Sequence, residues 1–430
     1  MSRIIMENII RILYILFGFF STSELLAIPR GGGEPLHVFS LLLVPVILDL
    51  LFIPGKKALY NSPIVSRYYI WTGFGVVSSL FGLLYFSEPV MTNYFTWDLN
   101  YLTRIVLYAI IFFLLLRRDD NIRWSGILLG LFSGMILNVV VSIIDSSIFY
   151  ITGTSFVRIF LSFSGQETIS RTIILNEGGI RSTAFTSDPA TVAMYAVILT
   201  AYGWYQKKYT YGLLSFVCAL ATLSAITIAG VFLVSIIHIK NFKDFLKIVT
   251  VFVLGIILIF LIDHPVINNM RHFMLERMEY KIEIGDGIRS LYWERFPEAV
   301  INTPTSLFIG TGYYTASDAY RKVMPEWLEK GFAFDPEQTY FSYFFDIGLI
   351  GFCFWISMYW LLYKKLKRIN TTVHKDKIQS LLLASVEGFL VVCLFYHYTI
   401  FSVQMLFLIC CIIYQEQSTR NLITTKFIED

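Results

Sequence analysis

Eight arginines fall in two polar stretches of this 430-residue chain: Arg158, Arg171 and Arg181 in the first, and Arg271, Arg277, Arg289, Arg295 and Arg321 in the second. A guanidinium presents paired donors in one plane and grips phosphate oxygens bidentately. An anionic substrate at a membrane face, such as a lipid diphosphate, would account for this clustering. Solvated loop side chains or lipid headgroup contacts would account for it too. Arg181 leads the polar turn Ser182-Thr183-Ala184-Phe185-Thr186-Ser187-Asp188, which runs into Pro189. Proline favours the first helical turn, so Asp188 also fits as a helix cap. Asp335 and Glu337 stand just before an apolar run that opens near Thr339. A carboxylate there could take a proton from a sugar hydroxyl as a general base. The other reading is a pair of helix-start carboxylates facing the macrodipole. Arg289 and Trp293 are four residues apart and share one face of a helix.

The elements that position these residues are membrane helices. The chain is 56% hydrophobic and only 15% charged, with a mean hydropathy of +0.64. Soluble domains carry roughly 25% charged residues. Several apolar runs reach or approach the ~20 residues that cross a bilayer core. The expected fold is all-α, with about twelve transmembrane helices. Spans one to nine fall within residues 1–263, with a short outward loop near 148–188. A large outward loop, 264–338, bears short amphipathic helices. Spans ten to twelve and a tail fill 339–430. The run 209–239 has basic residues at both ends and fits two short passes turning near Thr222-Leu223-Ser224. With that hairpin, Lys56-Lys57, Arg117-Arg118, Lys207-Lys208 and Lys364–Arg368 all fall on the cytoplasmic side, as do both termini.

Arg104 and Asp346 interrupt apolar runs, where a charge usually faces protein or water, and a structural ion pair is expected for both. Cys218, Cys353, Cys393, Cys410 and Cys411 read as small buried hydrophobes. His238, His264, His272, His374 and His397 are isolated in sequence. No phosphate-binding glycine loop or metal-ligand spacing is present, and a net charge of +3 gives no argument for nucleic acid.

Three segments resemble the O-antigen polymerase and O-antigen ligase superfamily of bacterial surface-polysaccharide assembly. The first is Arg181 with Phe185 and Asp188-Pro189-Ala190. The second is Arg289-Ser-Leu-Tyr-Trp293, continuing to Pro304 and Ile309-Gly310-Thr311-Gly312. The third is Glu337-Gln338-Thr339-Tyr340-Phe341, followed by Gly348-Leu349-Ile350-Gly351. Ser224 before Gly230 weakly echoes a Ser-Arg-Gly turn of the family without its arginine. Ligases of this superfamily usually carry histidine where Glu337 stands, and the carboxylate favours a polymerase. The resemblance implies an inverting glycosyltransferase of the bacterial inner membrane that needs no metal or other cofactor. Its donor would be an oligosaccharide on undecaprenyl diphosphate, and its acceptor a second lipid-linked repeat unit. Arg181 and Arg289 would hold the diphosphate, and Glu337 would be the base. Arg271, Arg277, Trp293, Arg295, Asp335, Gln338 and Tyr340 would line the substrate site. Membrane lipids, a chain-length regulator and a flippase of the same pathway are the implied partners. A ligase acting on lipid A core is one alternative, and a lipid-linked glycan transporter is another.

Overall fold

Apolar runs bounded by basic pairs and turn residues become helices, because a backbone without water must satisfy its own hydrogen bonds. The computed structural model describes residues 3–23, 25–28, 36–52, 62–85, 94–118, 121–163, 173–174, 180–186, 189–222, 224–239, 241, 246, 249–250, 253–255, 257, 260–264, 267–268, 271–272, 275, 287–312, 319–320, 323, 339–369, 377–394 and 401–429. The N-terminal half contains α1 (Arg3–Ser21), α2 (Val38–Phe52), α3 (Pro63–Tyr85), α4 (Tyr94–Arg118), α5 (Asn121–Thr152) and α6 (Phe156–Ser162). Then come α7 (Pro189–Gln206), α8 (Tyr209–Thr222) and α9 (Ala225–Ile237), followed by α10 (Gly287–Asn302) and a 3-10 turn, Pro304–Leu307. The chain closes with α11 (Thr339–Ile369), α12 (Lys377–Val392) and α13 (Phe401–Glu429). Two antiparallel ladders of two-residue strands accompany the helices: β1 (Ala27–Ile28) with β2 (Leu36–His37), and β3 (Ile173–Ile174) with β4 (Ile180–Arg181).

This is a helical membrane protein. Among the described residues, the segments Ile4–Ser21, Asn121–Thr152 and Tyr340–Arg368 are long and apolar enough to cross a bilayer. The expected hairpin is realised as α8 and α9, and Ser224 caps α9 by accepting from the Thr227 amide at 3.3 Å. The ninth expected span has only scattered described residues. Helix α7 lies at the centre and is buried from Ala190 to Gly203. It packs against α8, α9 and α12, while α3 packs along α11.

Helices α1 and α5 meet along small residues. Gly126, Gly130 and Gly134 recur every fourth position and form a groove for the backbone of α1. A Cβ at Gly130 would run into the Ile15 carbonyl and come within 2.7 Å of the Phe19 amide nitrogen. Neither backbone atom can yield without moving the helix. Gly130→Val is therefore expected to lose about 1–3 kcal/mol or more through overpacking, read as a lowered melting temperature in detergent. An unchanged melting temperature would contradict this packing. At the start of α5, Arg123 donates to both oxygens of Asp49, at 2.7 and 3.0 Å, and Tyr14 donates to the same carboxylate at 2.8 Å. The bidentate pair ties α1, α2 and α5 together where burial makes a lone charge costly.

Three expectations are corrected. Cys353 is exposed on α11, on a face of the helix turned away from its neighbours, whereas Cys218, Cys393, Cys410 and Cys411 are buried as expected. Arg104 is exposed on α4 and forms no ion pair among the described residues, because its position faces away from the helix core. His238 is not isolated: its Nε2 lies 2.8 Å from Glu387 Oε1, and Tyr205 donates to the other Glu387 oxygen at 2.6 Å. Asp346 is buried, in keeping with a charge that faces protein.

Candidate functional site

The second arginine stretch supplies α10. Arg289 sits in its first turn and Trp293 one turn later, so the helical backbone puts both on one face. The adjoining side of the helix, with Tyr292 and Phe296, is held by aromatic packing. The Tyr320 hydroxyl donates to the Tyr292 carbonyl at 3.1 Å, and the two rings meet edge to face at 5.0 Å. Phe296 touches Phe341, Phe344 and Phe345 on the first turns of α11. Trp293 itself is exposed but meets Phe341 edge to face at 4.4 Å. This small core fixes the helix of Arg289 against the start of α11, and Glu337 lies two residues before that start.

A second contact sets the depth of the assembly. Helix α11 is broken at Gly348, whose φ of 72° and ψ of 168° are non-helical. The turn Gly310-Thr311-Gly312 enters the break. The Thr311 amide donates to the Phe345 carbonyl at 2.8 Å, and the Gly312 amide donates to the Asp346 carbonyl at 3.1 Å. These acceptors are carbonyls that the broken helix leaves without intrahelical donors. Ser78 on α3 joins the knot by donating to the Asp346 carbonyl and accepting from the Gly312 amide at 2.8 Å. The two glycine motifs read separately in the sequence are thus one structural unit. Both glycines are required by geometry, because Gly310 and Gly348 each have positive φ and their α-carbons face one another's backbone.

The first arginine stretch folds onto the ends of α1 and α5. Arg181 lies in β4, paired with Ile173. The turn that follows is buried and anchored by Asn138. The two N–H groups of the Asn138 side-chain amide are shared among three acceptors, the Thr22 carbonyl at 3.1 Å, Ser23 Oγ at 2.9 Å and the Gly134 carbonyl at 2.8 Å. Its oxygen accepts from the Phe185 amide at 3.1 Å. Every hydrogen-bonding valence of this buried amide that the turn needs is met within protein. The backbone of Arg181 is thereby fixed relative to two long helices.

The remaining candidates divide. Arg295 pairs with Glu298 at 2.8 Å on the exposed side of α10. Arg271 holds its own segment, donating to the Phe260 carbonyl at 3.1 Å and to Asn268 Oδ1 at 2.9 Å. Tyr340 donates to the Leu390 carbonyl at 3.0 Å and packs edge-on against Trp355, which ties α11 to α12. Arg277, Asp335, Glu337 and Gln338 lie outside the described residues, as do Asp188 and the side chains of Arg181 and Arg289. Sequence reasoning missed Ser78 and Asn138. Each is a polar residue inside an apolar run, and that was the available signal.

No curated protein matches the chain. Residues 210–356 match the family model described as O-antigen ligase, over about a third of the chain. The matched stretch runs from α8 to the second half of α11, so it takes in α10, the Gly310–Gly312 turn and the break at Gly348. It ends three turns past Phe345 and begins after Arg181, which it does not cover. This match places the stretch 210–356 within the O-antigen polymerase/ligase superfamily.

Proposed function

We propose that the chain is a surface-polysaccharide polymerase of the O-antigen type. It transfers a growing glycan from undecaprenyl diphosphate onto the terminal sugar of another lipid-linked repeat unit. About twelve spans place both termini in the cytoplasm and the 264–338 loop in the periplasm, in the bacterial inner membrane. The acceptor hydroxyl attacks the anomeric carbon, and the bond from that carbon to the diphosphate oxygen breaks with inversion. Glu337 receives the hydroxyl proton, and undecaprenyl diphosphate leaves with the bond electrons. Arg181 and Arg289 bind the diphosphate and stabilise the charge that grows on it. Arg271, Arg277, Arg295, Asp335 and Gln338 lie in the same loop and bind the glycan or its diphosphate, and Trp293 offers an exposed ring to a sugar face. Tyr340 supports the site from the top of α11. A chain-length regulator and a flippase act with it.

The observation that carries this reading is the packing of the Arg289 helix onto the start of α11, directly after Glu337. The backbone that carries the leaving-group cation is thereby held against the helix that follows the proposed base in sequence, and held geometry supplies much of the rate in such transfers. A second reading, transfer of the finished chain to lipid A core, is favoured by the family's description as O-antigen ligase. Surface glycans of a deletion strain separate them on a gel. A polymerase leaves a single repeat unit attached to core and no ladder. A ligase leaves long chains on undecaprenyl diphosphate and none on core. Repeat units trapped on the cytoplasmic side would mean a transporter and would overturn both.

A further inference from the structure

The segment between α10 and Gly312 belongs to a loop that the sequence reading assigns to water, yet the structure sets it well below the ends of its neighbouring helices. Asp346 and Gly348, which grip the turn, lie seven and nine residues into α11. At 1.5 Å per residue that is about 10–14 Å from the helix start. Ser78 and Gly82 on α3 approach the same turn, and they lie seven and three residues before the end of that helix. Their depth is about 5–10 Å by the same rise. The two flanking helices therefore agree.

The chemistry of the segment fits that depth. No charged side chain occurs between Glu298 and Asp318, in a loop otherwise rich in charge. Irregular backbone at membrane depth must be satisfied by protein. Here the Ser306 amide donates to Thr303, and the Phe308, Ile309 and Gly310 amides all converge on the Thr305 carbonyl. Thr311 and Gly312 donate into the break of α11. Meanwhile Leu307, Phe308 and Ile309 point outward, with Phe308 62% exposed. Val77 and Leu80 on α3 and Leu349 and Ile350 on α11, close in sequence to the residues that grip the turn, are exposed apolar side chains as well. Exposed apolar side chains grouped in this way suit a contact with lipid rather than water.

We propose that residues 304–309 form a finger inserted into the outer leaflet, with Leu307, Phe308 and Ile309 packed against lipid acyl chains. The inference rests on the outward orientation of the 264–338 loop and deepens the proposed function. Because α10 runs directly into the finger, the finger sets the height of the Arg289 helix at the membrane surface. A lipid-borne diphosphate would meet that helix at a fixed level.

The test uses the full chain with Cys353→Ser, which removes the exposed cysteine; the other four are buried. Phe308→Cys is spin-labelled and reconstituted in phosphatidylcholine vesicles. Collision with oxygen, which concentrates in the bilayer, is compared with collision with a water-soluble nickel chelate. Glu298→Cys on the exposed face of α10 and Leu349→Cys on α11 are the references. The label at position 308 is expected to match position 349, with oxygen favoured. A label at 308 that favours nickel as position 298 does would overturn the finger. Should Phe308→Cys fail to insert, Ile309→Cys carries the same two outcomes. No substrate is present, so loss of the polymerase reading would leave the depth result standing, and the reverse holds too.

Discussion

Glu337→Gln is expected to leave the protein expressed and inserted while polymer formation falls by about 10²–10⁴-fold, the usual worth of a general base. Glutamine keeps the size and the hydrogen-bonding reach of glutamate but cannot accept the acceptor's proton. Arg289→Ala is expected to produce a comparable loss, about 10²–10³-fold, by removing a charge that stabilises the leaving diphosphate. Arg289→Lys retains the charge but loses the paired donors, so it should recover only part of the rate. In the proposed site the two residues act on one transfer, so the double variant should be little worse than either alone. Densitometry of the surface glycan ladder, alongside immunoblots of the membrane fraction, checks all four. A normal ladder from both Glu337→Gln and Arg289→Ala would remove these residues from the mechanism.

The second large effect is structural. Gly348→Ala places a methyl group 2.6 Å from the Gly310 nitrogen and from the Phe308 carbonyl oxygen. Both are backbone atoms, so the turn must withdraw from the break in α11. The positive φ alone costs roughly 1–3 kcal/mol for a residue with a Cβ, and lost hydrogen bonds from Thr311 and Gly312 add about 1 kcal/mol each. Gly310→Ala should behave alike, since its methyl would stand 2.5 Å from the Asp346 carbonyl oxygen and the Gly348 nitrogen. Gly73→Ala on α3 is the control: nothing lies within 4 Å of its added methyl. Melting of the purified variants in detergent should drop for Gly348→Ala and Gly310→Ala and hold or rise for Gly73→Ala. Equal melting temperatures across the three would contradict the knot.

The reach of sequence reasoning follows from which interactions are local. Helix starts and ends were legible because apolar length and basic pairs are properties of contiguous residues. Pro189 opens α7, and the charge at both ends of 209–239 required the turn between α8 and α9. The break at Gly348 was not legible. A glycine within an apolar run reads as one more span residue, and its role comes from a turn much earlier in the chain. Ser78 is the extreme case, with its carbonyl partner 268 residues away. His238 was read as isolated because Glu387 stands on a helix far along the sequence. Arg104 was misread because position within a span does not tell which way a side chain faces. In the candidate site, the helical pairing of Arg289 with Trp293 was accessible from spacing, whereas the aromatic wall that fixes α10 onto α11 needed the structure.

The central claim is that this one chain joins lipid-linked repeat units. The direct measurement is reconstitution of the purified protein in vesicles that contain only a synthetic undecaprenyl-diphosphate repeat unit. The account predicts a ladder of products, each still carrying a lipid diphosphate, with one undecaprenyl diphosphate released for every bond formed. Absence of any ladder until lipid A core is added, followed by transfer to that core, would contradict it.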